Sequence, residues 1–249
     1  MAQMKISLIT VVYNGETFLQ ECFNSVMAQT YADVEYLVID GGSTDQTQNI
    51  IRKNGSHIDY FLSEKDGGLY DAINKGIQQS TGDIVGILNA DDMLAGADVL
   101  AAVAKTFTTD PAIDGLYGDL NYIHPTTHQI VRKWKSKPTT FRDLKSGWMP
   151  AHPTLYLKRA LFAQHGVYSL DFGTAADYEL ILRYLYTHKI KTAYLPMLMV
   201  NMRMGGVSNH SIGSRIRALF HDYKALKENA IPWPYWVVLN KKISKLSQF

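Results

Sequence analysis

The sequence predicts an α/β fold in which a mostly parallel central sheet is flanked by helices. Residues 6–13 and 35–40 are apolar runs, and each is followed by a polar turn and then by an amphipathic stretch. Such alternation is typical of a parallel sheet, in which each helix connects two neighbouring strands. Residues 84–88 carry apolar side chains on both faces, as expected for a strand that helices cover on both sides.

The other elements of the first half follow from the same kind of pattern. Apolar residues recur at three- and four-residue spacing over residues 18–27, which predicts an amphipathic helix. Cys22 lies on that apolar stripe, so we interpret it as a core thiol and not as a nucleophile. Ser43 or Thr44 is expected to cap the second helix. The remaining predictions in this half are a strand at 58–63 and helices at 69–77 and 96–107.

The second half of the chain carries a weaker pattern. Residues 115–122 and 129–134 alternate loosely and are predicted to pair as a hairpin around Pro125. A strand at 155–157 is predicted to precede a short helix, and an apolar-striped helix follows Asp177.

Length and composition support one domain with two lobes. With 249 residues, of which 46% are hydrophobic and 19% charged, the chain can bury a core. No linker-like segment interrupts residues 1–214, so we predict a single domain with lobes at 1–110 and 111–214. The net charge of +2 is too small to indicate nucleic acid binding. The single cysteine excludes internal disulfides and a zinc cluster.

The chain is expected to be cytoplasmic. An unpaired cysteine fits a reducing compartment, and the first five residues lack the apolar segment of a signal peptide. No apolar stretch approaches the roughly 20 residues that a spanning helix needs. We therefore expect a soluble protein, or one that lies at the inner face of the cell membrane.

Two adjacent carboxylates, Asp91 and Asp92, follow the apolar run at 84–88. Charges cannot lie inside a sheet that is buried on both faces, so both must lie just beyond its carboxyl edge, where open α/β sheets bind ligands. Carboxylates at such an edge suit Mg²⁺ or Mn²⁺, and these ions usually bring a phosphate. The alternative for Asp92 is that it caps a helix after Met93.

Three segments at the strand ends, residues 9–14, 38–45 and 88–92, resemble the family 2 glycosyltransferases in residue type, order and spacing. The resemblance implies the GT-A fold, a Rossmann-like nucleotide-sugar fold with a smaller acceptor lobe, and an inverting mechanism. It implies a nucleotide-sugar donor linked to UDP or GDP. The implied acceptor is a saccharide or a lipid-linked sugar, in polysaccharide or glycolipid biosynthesis.

The resemblance also assigns residues to the nucleotide base. Thr10 and Tyr13 would border the base, and Asp40 would accept a hydrogen bond from it. Taken alone, Asp40 before Gly41 could equally be a turn residue that satisfies its own backbone. An aromatic residue at a strand end, such as Tyr13, could equally serve packing.

For the metal and the phosphates, the resemblance points to the segment after the strand at 84–88. Asp91 takes the last position of the family's DxD element and would ligate the metal. Asn89 takes the first position, where it offers an amide oxygen but no charge, and Ala90 between them would belong to the nucleotide site. Lys65 is the only basic residue near the position where some members carry an arginine.

The second lobe carries the implied catalytic base. In the family, an acidic pair precedes a similar helix; here Asp177 keeps the position of the base, whereas Ala176 replaces the usual glutamate. Alternatively, Asp177 caps the helix or complements its dipole. His152 is expected to contact the acceptor or the leaving phosphate, with a structural role beside two prolines as the alternative.

Residues 202–208 resemble the family's late loop near the diphosphate, where the planar guanidinium of Arg203 would suit a phosphate. A solvent-exposed arginine is the alternative. From Arg215 onward, seven basic residues surround an aromatic and apolar stretch and face only two acidic ones. We predict a helical tail at 215–249 that suits an anionic membrane surface. A tail that covers the domain's own core, or that dimerises, fits equally well.

Two other functions are compared with sugar transfer. A nucleotidyltransferase that makes the activated sugar would need a glycine-rich, basic signature after the first strand, and residues 14–17 lack it. A non-catalytic GT-A-like binding domain would be favoured if Asn89 and Ala176 marked lost activity. We predict a metal-dependent inverting glycosyltransferase in which Asp177 is the general base.

Overall fold

The computed structural model describes residues 4–205 and 212–246 of the chain. Its first half alternates strands and helices as predicted, because apolar runs of strand length alternate with amphipathic stretches. In chain order these elements are β1 (Ile6–Val12), α1 (Leu19–Met27), β2 (Val34–Asp40), α2 (Thr47–Lys53), β3 (Tyr60–Ser63), α3 (Leu69–Gln79), β4 (Ile84–Asn89), β5 (Met93–Leu94) and α4 (Val99–Thr109).

The second half adds four strands and two long C-terminal helices within the described residues. In chain order its elements are β6 (Gly115–Ile123), β7 (Ile130–Trp134), α5 (Phe141–Lys145), β8 (Tyr156–Lys158), α6 (Ala160–His165), α7 (Ala176–Ile181), β9 (Thr192–Arg203), α8 (Ile212–Glu228) and α9 (Pro234–Leu246). The predicted hairpin is confirmed, because β6 and β7 pair antiparallel. Neither α5 nor the long strand β9 was predicted.

Four strands of the first half are parallel and lie in the order β3-β2-β1-β4. In this register Val12 lies opposite Asp40, and Val11 lies opposite Asn89. The carboxyl ends of β1, β2 and β4 are therefore level with one another. The polar residues that follow these strands meet at one edge of the sheet, as predicted.

β8 lies antiparallel to both β4 and β6, and so joins the two halves in a sheet that has nine strands in the described part of the chain. β9 runs parallel to β6 and antiparallel to β5, where Met93 lies opposite Asn201. As a result, the end of β9 at Arg203 returns to the loop that follows β4.

Helices cover the sheet and bury its apolar side chains. β1 is buried over its whole length, and β4 is buried as far as Leu88. Cys22 is wholly buried on the inner face of α1, and burial raises the pKa of its thiol to about 12. The interpretation of Cys22 as an inert core thiol is therefore confirmed.

Two proposed helix caps are wrong. α2 begins at Thr47, and neither Ser43 nor Thr44 caps it: the Ser43 hydroxyl donates to Asp40, and the N–H of Thr47 donates to the carboxylate of Asp45 at 3.0 Å. Asp92 is followed by β5 and not by a helix, and its carboxylate accepts a hydrogen bond from the backbone N–H of Arg203 at 3.2 Å. Both Ser43 and Asp92 hold loops at the ends of strands.

The C-terminal helices pack against the second lobe. Ala225, Leu226, Ile231 and Val237 are buried in the same apolar cluster as the residues of α7. The tail thus covers the core of its own domain, which is one of the alternatives left open by the sequence. Among the helices that the structure describes, none is long and apolar enough to cross a membrane.

Candidate functional site

The carboxylate of Asp40 lies at the end of β2 and is wholly buried. It accepts hydrogen bonds from the backbone N–H of Ser43 at 3.1 Å, from the Ser43 hydroxyl at 2.5 Å and from the Ser63 hydroxyl at 2.6 Å. These donors belong to the turn after β2 and to the neighbouring strand, so Asp40 does organise its own turn. That Asp40 accepts a hydrogen bond from a nucleotide base stays a prediction.

The two residues that were expected beside the base differ in exposure. Thr10 is wholly buried, and its hydroxyl accepts a hydrogen bond from Tyr36 at 2.9 Å. This position contradicts the prediction that Thr10 borders the base, because its side chain faces the core beside Cys22. Tyr13 is 66% exposed just past β1, so its ring is accessible to a ligand and the packing alternative is wrong.

An oxygen-rich cluster of Asn89, Asp91 and Asp92 follows β4. Nδ2 of Asn89 donates to Asp92 at 3.1 Å, while the buried Oδ1 of Asn89 has no hydrogen-bond partner. Burial, followed by the charge of Asp91, raises the pKa of Asp92 well above its usual range, and burial also raises the pKa of Asp91. A cation bound here would favour the charged carboxylates that burial disfavours.

This cluster fits a divalent cation that takes few ligands from the protein. Within the described residues, no group of three or more His, Cys, Asp or Glu side chains could hold a metal. Mg²⁺ is commonly bound through one or two carboxylates and completes its shell with water and substrate phosphates. The Asp91 carboxylate and the unpartnered amide oxygen of Asn89 are hard ligands of the required kind.

Two other residues predicted at the nucleotide site lie at the same sheet edge. Ala90 is buried, and its backbone N–H donates to the carbonyl oxygen of Val11 at 3.2 Å. Lys65 is exposed in the loop after β3, and its backbone lies against Gly42, whose φ of +81° suits only glycine well. A contact between Lys65 and a phosphate stays a prediction.

Arg203 is 2% exposed, so the solvent-exposed alternative is wrong. Its guanidinium donates to the carbonyl oxygen of Asp91 at 2.7 Å and to the carboxylate of Glu21 at 2.6 Å, and lies 4.5 Å from the ring centre of Phe18. Protein atoms thus occupy the donors that were expected to bind phosphate, which argues against that contact. The rest of the predicted loop, at 206–208, lies outside the described residues.

Asp177 is the second residue of α7 and is partly exposed. The residue that precedes the helix is Ala175, and no side chain caps it. The Asp177 carboxylate accepts a hydrogen bond from the backbone N–H of Tyr178 at 2.7 Å. Asp177 is therefore not the N-cap residue, but its carboxylate does satisfy one N–H of the first turn and interacts favourably with the helix dipole.

Two stacked tyrosines lie near Asp177: the ring centroids of Tyr70 and Tyr168 are 5.5 Å apart. Burial, followed by the charge of Asp177, raises the pKa of both tyrosines well above the usual range. Nε2 of His152 lies 2.7 Å from the Tyr168 hydroxyl, and burial lowers the pKa of His152. His152 is thus anchored by Tyr168, in line with its structural alternative, and its contact with acceptor or phosphate stays a prediction.

Tyr122, near the end of β6, is influenced by acidic residues from two parts of the chain, Asp92 and Asp177. Burial raises the pKa of Tyr122, the charge of Arg132 lowers it, and the charges of Asp92 and Asp177 both raise it. Both carboxylates therefore lie close enough to Tyr122 for their charges to act on its hydroxyl.

Sequence reasoning missed three tyrosines on which the charge of Asp177 acts: Tyr70, Tyr122 and Tyr168. The inward-facing position of Tyr70 on its predicted helix was the one available signal. Asn74, one turn further along α3, exchanges two hydrogen bonds with the backbone of Tyr168, at 2.8 and 3.0 Å. This pairing attaches the first lobe to the second beside Asp177.

Comparison with known proteins agrees with this geometry. A family model described as Glycosyl transferase family 2 matches residues 7–165. A PGL/p-HBAD biosynthesis glycosyltransferase of Mycobacterium bovis is 32% identical to this chain over 216 residues, which cover 84% of this chain and 81% of that protein.

Two solved structures share the fold. Residues 1–349 of S. aureus TarS, in complex with UDP-GlcNAc, superpose with a TM-score of 0.71 at 19% identity and cover 90% of this chain. The mannosyltransferase PcManGT of Pyrobaculum calidifontis, in complex with GDP-Man and Mn²⁺, gives a TM-score of 0.66 at 19% identity and covers 97% of this chain. This chain spans 66% of the TarS chain and 70% of PcManGT. The likeness confirms the expected GT-A fold.

Proposed function

This chain belongs to glycosyl transferase family 2, and from that membership we propose that it moves a sugar from a nucleoside-diphosphate donor to an acceptor hydroxyl with inversion at the anomeric carbon. The observation that most supports the proposal is that the carboxyl ends of β1, β2 and β4 are level, so that Asp40 and the Asn89–Asp92 cluster meet at one edge of the sheet. We propose that this edge binds the donor and that Asp177, a partly exposed carboxylate of the second lobe, acts on the acceptor.

Asp177 is proposed to accept the proton of the acceptor hydroxyl while that oxygen attacks the anomeric carbon. The bond from this carbon to the diphosphate oxygen breaks in the same step, and the diphosphate leaves with the electron pair. A single displacement of this kind inverts the configuration. The partial exposure of Asp177 supports the role because an acceptor must reach the carboxylate.

Asn89 and Asp91 are the residues that would hold Mg²⁺ or Mn²⁺. When bound, the ion would offset the negative charge that grows on the leaving diphosphate. We propose that Tyr13 stacks on the nucleotide base and that Lys65 approaches the diphosphate, because both side chains are exposed at the strand ends. That PcManGT was solved with GDP-Man and Mn²⁺, and TarS with UDP-GlcNAc, supports a UDP- or GDP-linked sugar as donor.

For the acceptor we propose a saccharide or a lipid-linked sugar in the assembly of a cell-surface polysaccharide or glycolipid. The similarity to a PGL/p-HBAD biosynthesis glycosyltransferase supports this setting. The protein would then act in the cytoplasm, at the inner face of the membrane where lipid-linked acceptors are presented.

A donor-hydrolysis assay tests the proposal. UDP- and GDP-sugars are incubated with the wild type and with Asp91→Ala, in Mn²⁺ and in EDTA, and release of the nucleoside diphosphate is measured. We expect at least one donor to be hydrolysed by the wild type in Mn²⁺ alone. Hydrolysis that is equal in EDTA, or equal in Asp91→Ala, would contradict the metal-binding part of the proposal.

A further inference from the structure

The outer face of the two C-terminal helices exposes a concentration of large apolar side chains. Six of them are between 50% and 80% exposed. This aromatic face consists of Ile216, Phe220, Trp233, Tyr235, Trp236 and Leu239. Contiguous exposed apolar patches of this kind mark interaction sites in soluble proteins.

The aromatic face is continuous across both helices. Ile216, Phe220 and Tyr223 recur at four- and three-residue spacing, so they lie on one side of α8. The ring of Tyr223 stacks on Tyr235 of α9, with ring centroids 4.5 Å apart. Leu226 and the other buried residues of these helices point to the second lobe, so the domain does not use the aromatic face for its own core.

The excess of positive charge lies in the C-terminal segment that carries the aromatic face. Residues 215–249 contain seven of the 25 lysines and arginines but two of the 23 acidic residues, so residues 1–214 have an excess of three acidic residues. Arg217 and Lys227 are exposed on α8, and Lys227 lies one turn beyond Tyr223. Positive charge therefore borders the aromatic face.

We propose that the aromatic face binds the surface of an anionic lipid bilayer. Tryptophan and tyrosine favour the headgroup region because each combines an apolar ring with one polar group. Exposed Arg217 and Lys227 would attract the lipid phosphates. A second copy of the chain could also cover apolar rings, but it would bring a tail of the same positive charge against this one. An anionic bilayer surface can accommodate the apolar rings and also attract the positive charges.

This proposal rests on the membrane setting proposed above and names the surface that would contact the bilayer. Vesicle binding is measured without any transfer reaction. Failure of one proposal is therefore distinguishable from failure of the other. The full chain is sedimented with vesicles of phosphatidylcholine alone and with vesicles that also contain phosphatidylglycerol. We expect the wild type to bind the anionic vesicles and to dissociate as salt rises, because salt screens exposed charges.

The decisive variant is Trp233→Ser combined with Trp236→Ser, which removes the two indoles. We expect its binding to anionic vesicles to fall roughly tenfold or more, because each indole contributes a large apolar area. The matched control is Ile130→Ser combined with Val131→Ser on the edge strand β7, where the side chains are 52% and 47% exposed. The control should bind like the wild type. Melting temperatures of both variants should stay near that of the wild type, because all four residues are exposed.

A second variant tests the charges. Arg217→Glu combined with Lys227→Glu should weaken binding to the anionic vesicles while the aromatic face stays intact. Absence of wild-type binding to anionic vesicles, or equal binding by the tryptophan variant, would overturn the proposal. A dimer of the wild type that the tryptophan variant abolishes, without vesicle binding, would overturn it in favour of a second copy of the chain.

Discussion

The guanidinium of Arg203 donates a 2.7 Å hydrogen bond to the carbonyl oxygen of Asp91, which lies 112 residues earlier in the chain. The backbone N–H of Arg203 donates in turn to the carboxylate of Asp92. Because Arg203 ends β9 and Asp91 follows β4, these bonds attach the predicted metal-binding edge to a distant strand. The shape of the Asp91 loop thus depends on a residue that does not need to touch the ligand.

Arg203→Met should lower the free energy of unfolding by about 2–4 kcal/mol. The change leaves the partly buried carbonyl oxygens of Asp91 and Pro125 without their donors, and the buried site loses its charge. Glu21→Gln is the control, because Glu21 is partly exposed and the amide keeps an acceptor for Arg203; we expect a loss under about 1 kcal/mol. Urea unfolding measures both, and equal losses would contradict a structural role for Arg203.

Asp91→Ala should abolish metal-dependent donor binding and leave the melting temperature nearly unchanged, because Asp91 lies partly exposed at the sheet edge. Asp92→Ala should instead lower the free energy of unfolding by about 1–3 kcal/mol, since Asn89 and the N–H of Arg203 lose their buried acceptor. Titration calorimetry with Mn²⁺ and donor measures the first effect. Wild-type affinity in Asp91→Ala would show that the metal is held elsewhere.

Glu35 provides a pH-dependent contribution to stability. Although burial acts to raise it, hydrogen bonds from Ser7 and Thr81 lower the pKa of Glu35 to about 2. A lowered pKa stabilises the folded state above the ordinary value of 4.5, and this contribution is lost as the pH falls from there through about 2. Glu35→Gln should therefore cost about 3 kcal/mol at pH 7, and its difference from the wild type should shrink as the pH falls. A difference that stays constant with pH would contradict this account.

The C-terminal helices should behave as part of the domain. Leu226 is wholly buried, so Leu226→Ala should cost about 2–4 kcal/mol of stability. Leu239 is 50% exposed on α9, so the same substitution there should cost under about 1 kcal/mol. Urea unfolding compares the two variants. If both substitutions cost equally little stability, the C-terminal helices would not contribute to the stability of the domain.

The sequence was most informative where structure depends on neighbouring residues. β1 and β4 are apolar on both faces, and that pattern requires a covered parallel strand. The order of the strands then brings Asp40 and Asn89 to one edge. β9 escaped prediction because Pro196 interrupts it and its pairing with β6 shifts register, so no regular alternation is visible.

The roles of individual site residues were harder to predict, because burial depends on partners far away in the chain. The guanidinium of the buried Arg203 donates hydrogen bonds to Glu21, which lies 182 residues away in the chain, and to Asp91. Thr10 has the residue type expected at a base, but the alternation of β1 turns its side chain to the core, where Tyr36 bonds it. The spacing of residues along the chain shows neither which distant residues bury a side chain nor which way a strand turns that side chain.

The central claim is that Asp177 removes the proton from the acceptor. Asp177→Asn keeps the shape of the side chain but removes the proton acceptor, and Asp171→Asn is the control, because Asp171 is an exposed carboxylate six residues earlier. Donor affinity and melting temperature of both variants should stay near those of the wild type.

The measurement is the rate of sugar transfer by the two purified variants with a donor that the wild type uses. We expect Asp177→Asn to transfer roughly 10²–10⁴-fold more slowly than the wild type, which is the range that a general base contributes, and Asp171→Asn to transfer normally. Near-normal transfer by Asp177→Asn would contradict the assignment of Asp177 as the base.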